Sequence, residues 1–387
     1  MLRNLAIEGT SKCVMPVRLS HCKDCLVENI SFTTSVEPCD KDGEPDLSIV
    51  YGIYVWNTTV RNFKARLSPK LLAALAAKDK TYKNFSNYNL FKIISSTASG
   101  FENCEANGGT HAFNITRSAS VAGGGGIPSV DCFIQNCVAS NCLWAGAKVQ
   151  QGCIGTKVTG NTVSASGQGI VSCGRNTLIA GNRVETRTPH SAEYYYTQVA
   201  RGGTFGIALI EGYACGSTVK DNAVEGFRSG IAMVDGYEDK NCFQEGNIVI
   251  ENNTVTGCLQ GFTLYKNDHC ETFGRNDLCI RILNNAFTCA TAEGDDRNAT
   301  FGIRLPDRAA GVDIRANTFR QFRHGVWLGG NVDFINICSN HFVDCGAGAT
   351  IEALVLQEPV RVNETHNTFT RTAIPRQGFA QAQVSNY

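Results

Sequence analysis

Charge is scarce and evenly balanced in this chain of 387 residues: Lys+Arg and Asp+Glu number 35 each, charged residues are 18% of the total, and the formal net charge is zero. That balance excludes the electrostatic footprint of a general nucleic-acid binder or of a protein held on an anionic membrane. Methionine (3) and proline (9) are also scarce, whereas glycine reaches 39, which favours tight turns and β-branched strands and excludes an all-helical fold. Long hydrophobic runs are missing as well. The longest strongly apolar stretch, LLAALAA at 71–77, falls far short of the roughly 20 residues a membrane-spanning helix needs, so no membrane partner is expected. The opening MLRNLAIEGTSK lacks the basic start, apolar stretch and small-residue cleavage site of a secretory signal. What remains is ample core material: 43% of residues are hydrophobic, too many for a disordered chain of such low charge.

Eighteen cysteines spread over 387 residues are too dilute for a disulfide scaffold. Many stand beside strand-like anchors, as in QNCVASNC (135–142), NNTVTGC (252–258), NNAFTC (284–289) and NHFVDC (340–345). A free thiol there serves as a small buried hydrophobe, with some disulfides as the alternative. Cys22 and Cys25 have C-x-x-C spacing, but no second pair follows at finger-like distance and no βαβ pattern surrounds them, so neither metal nor cofactor is expected.

Self-similarity decides the architecture. Asn-x-[Val/Phe] after alternating apolar residues recurs at Asn136, Asn161, Asn182, Asn222, Asn253, Asn285, Asn317, Asn340 and Asn367. A second element alternates with it, a short strand opened by Gly: QGIVS (168–172), FGIALIEG (205–212), SGIAMVDG (229–236), QGFTLYKN (260–267), FGIRLPDR (301–308) and HGVWLGGN (324–331). With a period of two, Ile207 and Leu209, Ile231 and Met233, Phe262 and Leu264, Ile303 and Leu305, and Val326 and Leu328 point to one side. The anchors are spaced 25, 21, 40, 31, 32, 32, 23 and 27 residues apart, so the unit is a little over 20 residues and the excess is loop. Such a unit cannot bury its apolar face alone, and units must stack. An Asn at one fixed turn position suits this stacking, because its amide bonds neighbouring coils and it tolerates left-handed turn geometry.

This cadence resembles the right-handed parallel β-helix of the pectate-lyase-like superfamily, which includes pectin-active enzymes, epimerases and bacteriophage tailspikes. The resemblance covers residues 1 to about 370 and is clearest from 130 on, with LVENISF (26–32) and SGFENCEANG (99–108) as less regular early coils. It implies an all-β solenoid over 1–371. Within it, Ser68 as cap and Pro69 in the first turn, followed by LLAALAAK, predict a helical insertion at about 67–86, and the loss of periodicity from 372 predicts a tail or linker at 372–387. Neither a polygalacturonase-like NTD with GHG nor a DPH epimerase signature is present. GGTHAFNIT (108–116) resembles the latter only loosely, with Asn114 where an acidic residue belongs. Most similar is a tailspike-like polysaccharide depolymerase, which implies a homotrimer located on a virion tail or outside the cell.

The Gly-opened strands, set in register, show where chemistry can gather. Glu211, Asp235, Lys266 and Asp307 follow consecutive strands. Coils are about 4.8 Å apart, which predicts Glu211 and Asp235 within about 5–6 Å and Asp235 and Asp307 about 10 Å apart. Carboxylate pairs at those two separations cleave glycosidic bonds with retention and inversion respectively. Long insertions fall on the same side, at 186–203, 237–247, 266–277 and 291–299, where loops of such length are usually functional. Tyr194, Tyr195, Tyr196, Tyr213, Tyr237 and Tyr265 offer ring faces for sugars, or pack the loops down. Lys266, Arg304 and Arg308 suit an acidic sugar or pair with nearby carboxylates.

The expected activity is hydrolysis of a long polysaccharide by Glu211 and Asp235, with Asp307 as a third candidate. Two rivals stand beside it. One is a polysaccharide lyase using Lys148 and His111 to remove the proton next to a uronic carboxylate; the other is a non-catalytic glycan-binding solenoid. Trp327 and Phe301 are expected to be exposed and to serve the trimer interface.

Overall fold

A computed structural model describes residues 2–9, 16–35, 48–72, 89–118, 126–142, 144–164, 167–186, 205–210, 214–234, 246–265, 279–289, 300–305, 309–329, 332–351, 361–377 and 383–384. The chain divides into two units, Met1–Gly202 and Gly203–Tyr387, built in the same way. In the first, Val17–Ser20, Ser48–Ile53, Asn89–Ile94, His111–Thr116, Ala145–Val149 and Gln168–Ser172 pair in that order as a parallel ladder. In the second, the ladder runs Phe205–Ile210, Ser229–Val234, Gln260–Tyr265, Phe301–Leu305, His324–Leu328, Ala347–Ile351 and Ile374–Gln377. Short strands flanking each Asn anchor, such as Ile248–Glu251 and Thr254–Cys258, pair in parallel with their equivalents one coil away. The fold is a right-handed parallel β-helix, as the resemblance implies.

The anchor asparagines form buried ladders. In the second unit, the amide oxygen of Asn285 accepts from the backbone N–H and the side-chain amide of Asn253, both at 2.9 Å, and Asn285 stands in the same relation to Asn317. Each side-chain amide also reaches a carbonyl of its neighbouring coil, as Asn285 does with Ile250. Left-handed geometry belongs to the residue before the anchor: Asn252 and Asn284 have φ of 55°, and Gly160 precedes Asn161 with φ of 66°. Asn136 departs from the expectation. It occupies that left-handed position itself (φ 53°) and is exposed, while Cys137 takes the ladder place and donates its backbone N–H to the Asn161 amide oxygen at 2.8 Å.

The alternating apolar residues expected to face inward, from Ile207 to Leu328, are all buried. Aromatic stacks run through the core: Phe287 on Phe319 at 5.5 Å, Phe319 on Phe342 at 5.0 Å, and in the first unit Phe91 on Phe113 at 4.9 Å. The opening glycines of the strands make room for this packing. A Cβ on Gly230 would collide with the Val255 side chain and come within 3.0 Å of the Gly261 carbonyl oxygen, so only Gly allows the inner surfaces to close. Buried thiols fill gaps in the same core, among them Cys104, Cys137, Cys153 and Cys258.

A helical turn at 69–72 begins where Ser68 predicts it, with the Ser68 hydroxyl accepting the Leu71 N–H at 3.2 Å. The expected insertion beyond residue 72 lies outside the described residues. At the other end, the segment expected to be a tail or linker carries strands: Ile374–Gln377 pairs with Ala347–Ile351, and Gln383–Val384 with Arg361–Thr365. The Gln-, Ala- and Pro-containing composition there hides the coil period without abolishing it.

Candidate functional site

Glu211, Asp235 and Asp307 lie outside the described residues, as do Tyr194, Tyr195, Tyr196, Tyr213, Tyr237, Lys266 and Arg308. The strands that lead to the first two are described. Ile210 and Val234 end adjacent strands as register partners, and Val234 partners Tyr265 in turn. Glu211, Asp235 and Lys266 each follow one of these three residues.

Tyr265 packs onto its own sheet. Its hydroxyl donates to the Gln260 side-chain oxygen at 3.0 Å and its ring meets Phe205 edge-on at 5.4 Å. Arg304 stands in register with Thr263 and Trp327. Its guanidinium lies 5.3 Å from the Trp327 ring centre and 5.8 Å from that of Phe301. Trp327 and Phe301 are therefore half-buried rather than exposed, since Arg304 covers both rings and His324 stacks on Phe301 at 5.5 Å. The outward face of a parallel strand row places such neighbours about 4.8 Å apart, close enough for long side chains to cover one another.

The first unit brings His111 and Lys148 together, with Trp144 between them. The Lys148 ammonium sits 4.0 Å from the Trp144 ring centre, and the His111 ring is 4.7 Å from the same ring. The Trp144 indole N–H donates to the Gln168 side-chain oxygen at 3.0 Å, which fixes the ring. Two further residues join them. Lys92, Asn114 and Lys148 occupy the same position on three successive strands, alternating with the core residues Phe91, Phe113 and Ala147 and so facing away from them. The Asn114 amide donates to the Asn89 side-chain oxygen at 2.9 Å.

Electrostatics mark this cluster. Burial, reinforced by the Lys148 charge, pulls the Lys92 ammonium down to about 8. Burial again, then Lys148 and Lys92, hold His111 well below the ordinary imidazole range, so its ring is neutral at physiological pH. Lys92 and His111 are 5% and 2% exposed, whereas Trp144 and Lys148 are half-buried. Sequence reasoning missed Lys92 because its strand, NLFKII, lacks the opening Gly. Aligning Phe91-x-Ile93 with Phe113-x-Ile115 and Ala147-x-Val149 puts Lys92 in the row.

No family model matches the chain, and no curated protein matches it. Among solved structures it is similar to a double mutant of the tailspike protein of E. coli bacteriophage HK620 in complex with pentasaccharide. The identity is 11% over 90% of this chain and 61% of that one, with a TM-score of 0.57. Another mutant of the same tailspike, also with pentasaccharide, is 10% identical over 95% of this chain and 70% of that one, with a TM-score of 0.52. The catalytic domain of a GH87 alpha-1,3-glucanase in complex with nigerose is 11% identical over 91% of this chain and 56% of that one, with a TM-score of 0.50. The chain thus spans about three fifths of the first of these proteins and rather less of the glucanase. At such identities the likeness shows the fold, and the fold it shows is the right-handed parallel β-helix.

Proposed function

We propose that the chain is a polysaccharide-cleaving enzyme, a glycoside hydrolase with Glu211 and Asp235 as its catalytic pair. The observation that carries this is the register of Ile210 with Val234, the two residues that Glu211 and Asp235 follow in the sequence. One carboxyl, kept protonated by its like-charged neighbour, gives its proton to the glycosidic oxygen as that bond breaks. The other, ionised, attacks the sugar carbon or activates the water that does so. Asp307 is the third candidate. Tyr194, Tyr195, Tyr196, Tyr213 and Tyr237 supply ring faces for the substrate, and Lys266, Arg304 and Arg308 supply charge. The saccharide-bound tailspike and glucanase on the same fold support carbohydrate as the ligand class by analogy. The likeness to a bacteriophage tailspike supports a place on a virion tail or outside the cell, and the homotrimer expected from the sequence resemblance is proposed with it.

The test is reducing-end release from a panel of neutral and acidic polysaccharides by Glu211→Gln and Asp235→Asn. Each variant should lose at least about a hundredfold in turnover, because each keeps its size but cannot move a proton. Wild-type rates in both would overturn the assignment. A lyase is the second reading, favoured by the meeting of Lys148, neutral His111 and Lys92. A base there takes the proton next to the uronic carboxylate, the electron pair forms the ring double bond, and the departing oxygen is protonated. Its signature is an ultraviolet-absorbing unsaturated product, which hydrolysis does not yield.

A further inference from the structure

The outward face of the second unit holds a buried hydroxyl with an unmet hydrogen bond. Thr263 alternates with the core residues Phe262 and Leu264 and so faces away from them, yet it is 0% exposed, and its Oγ1 has no partner among the described residues. A buried hydroxyl left unmet is costly and calls for a reason. Its register partners one and two coils back are Ala232 and Ala208, whose single methyl groups leave a hollow on that face. The Tyr265 side chain lies back over this stretch. Tyr265 ends its strand, but its hydroxyl reaches Gln260, which opens the same strand, at 3.0 Å, and Ser229 at 3.3 Å, while its ring meets Phe205 edge-on at 5.4 Å. Phe205, Ser229 and Gln260 are register partners on three successive strands. Ser229 and Gln260 are buried, and the Ser229 hydroxyl donates to the same Gln260 oxygen at 3.0 Å; Tyr265 itself is half-buried.

We propose that Ser229, Gln260 and Thr263 form a closed subsite for a neutral sugar and that Tyr265 is its lid, the phenol holding the place of a ligand hydroxyl. The Gln260 side-chain oxygen only accepts, so whatever replaces the Tyr265 hydroxyl must donate to it, whereas Thr263 can donate to or accept from a second group beside the first. Adjacent hydroxyls on a sugar ring meet both demands; the phenol meets one. Charge is absent from the subsite among the described residues. Arg304 stands in register with Thr263, but its guanidinium lies against the Trp327 and Phe301 rings instead. A neutral sugar therefore suits the subsite better than an anionic one. Neutral hydrogen bonds and one edge-on ring contact hold the lid, each weak enough for a ligand to displace. Ile210, Val234 and Tyr265 are register partners, so the lid belongs to the strands that lead to Glu211 and Asp235. This deepens the glycan reading and rests on it for the class of ligand, but it does not require that those carboxylates cleave a bond.

Calorimetric titration of the full chain with nigero-, cello- and manno-oligosaccharides and with oligogalacturonate tests it. Tyr265→Phe unlatches the lid and keeps its ring, and Tyr265→Ala removes it. Both should bind a neutral oligosaccharide about three- to tenfold more tightly than the wild type, because the closed state no longer competes. Free p-cresol should fill the vacated hollow of Tyr265→Ala and compete with that oligosaccharide. Thr263→Val separates a ligand contact from a structural one. Trading an unmet buried hydroxyl for a methyl of the same shape should leave the melting temperature unchanged or raise it, yet weaken saccharide binding at least about fivefold. Absence of neutral saccharide binding to Tyr265→Ala overturns the subsite, as do affinities that neither Tyr265 nor Thr263 alters; tighter binding of the uronate overturns the neutral assignment. Reducing-end release by the wild type and by Glu211→Gln, followed in parallel, keeps the two readings apart. Binding without cleavage leaves the subsite standing and sinks the catalytic pair, whereas cleavage with affinities indifferent to Tyr265 and Thr263 does the reverse.

Discussion

Asn285 receives both the backbone and the side-chain N–H of Asn253 on one amide oxygen, each at 2.9 Å. It also donates to the Ile250 carbonyl and to Asn317. Asn285→Ala strands those groups in the core, each loss costing about 1–3 kcal/mol. A total destabilisation of about 3 kcal/mol or more is expected in urea denaturation. Asn252→Gly is the control, because Asn252 is exposed with φ of 55°, a conformation Gly adopts freely. Its midpoint should hardly move. Equal effects of the two substitutions would mean that the ladder contributes nothing special.

Gly230 meets the Val255 side chain and the Gly261 carbonyl oxygen, so Gly230→Ala forces the core apart. Overpacking of this kind costs about 1–3 kcal/mol. Adding Val255→Ala removes one of the two obstacles and should restore part of the loss in a double-mutant cycle. Strict additivity of the two changes would show that the steric account is wrong.

Much of this was legible in the sequence because the repeat spells the same residues at the same structural place. The Gly-opened strands and most of the Asn ladder follow from that spelling. Asn136 was misplaced by one residue, since QNCV reads like GNTV while Cys137 holds the ladder position. Local spelling cannot tell a left-handed Asn from the ladder Asn that follows it, because both are turn residues. Phe301 and Trp327 were expected to be exposed for a related reason: period two gives the face of a side chain, not what lies over it, and here Arg304 does. The Lys92, Asn114 and Lys148 row needed a strand alignment that the missing Gly in NLFKII conceals.

Lys92 gives the stability a pH dependence of defined sign. Its ammonium is pulled down to about 8 in the folded chain, against about 10.4 when unfolded. Between those values the unfolded state binds more protons, so this group makes stability rise with pH, by about 3 kcal/mol at most. Lys92→Met removes that contribution. The stability advantage of the variant over the wild type should therefore be largest at pH 7 and shrink towards pH 10. An advantage that does not change with pH would show that Lys92 is not desolvated in solution.

The buried thiols act in the opposite direction. Burial pushes Cys258 and Cys153 up to about 12 and Cys132 up to about 11, against about 8.5 for an unfolded cysteine. Their contribution is fully present below the unfolded value and is lost as pH rises towards 11–12. Lys92→Met isolates it, because only the thiol slope then remains among these groups. The same burial keeps the thiolate fraction small, and the thiolate is the reactive form. Among the described cysteines, alkylation of the native protein at pH 8, mapped by mass spectrometry, should mark exposed Cys279 and half-buried Cys22, Cys25 and Cys338 first. Cys153 and Cys258 should react only on unfolding. Reducing agent should leave the melting temperature in place, whereas losing a native disulfide typically costs about 2–5 kcal/mol. A large drop under reductant, or early labelling of Cys258, would show that these cysteines are not the free core residues the fold makes them.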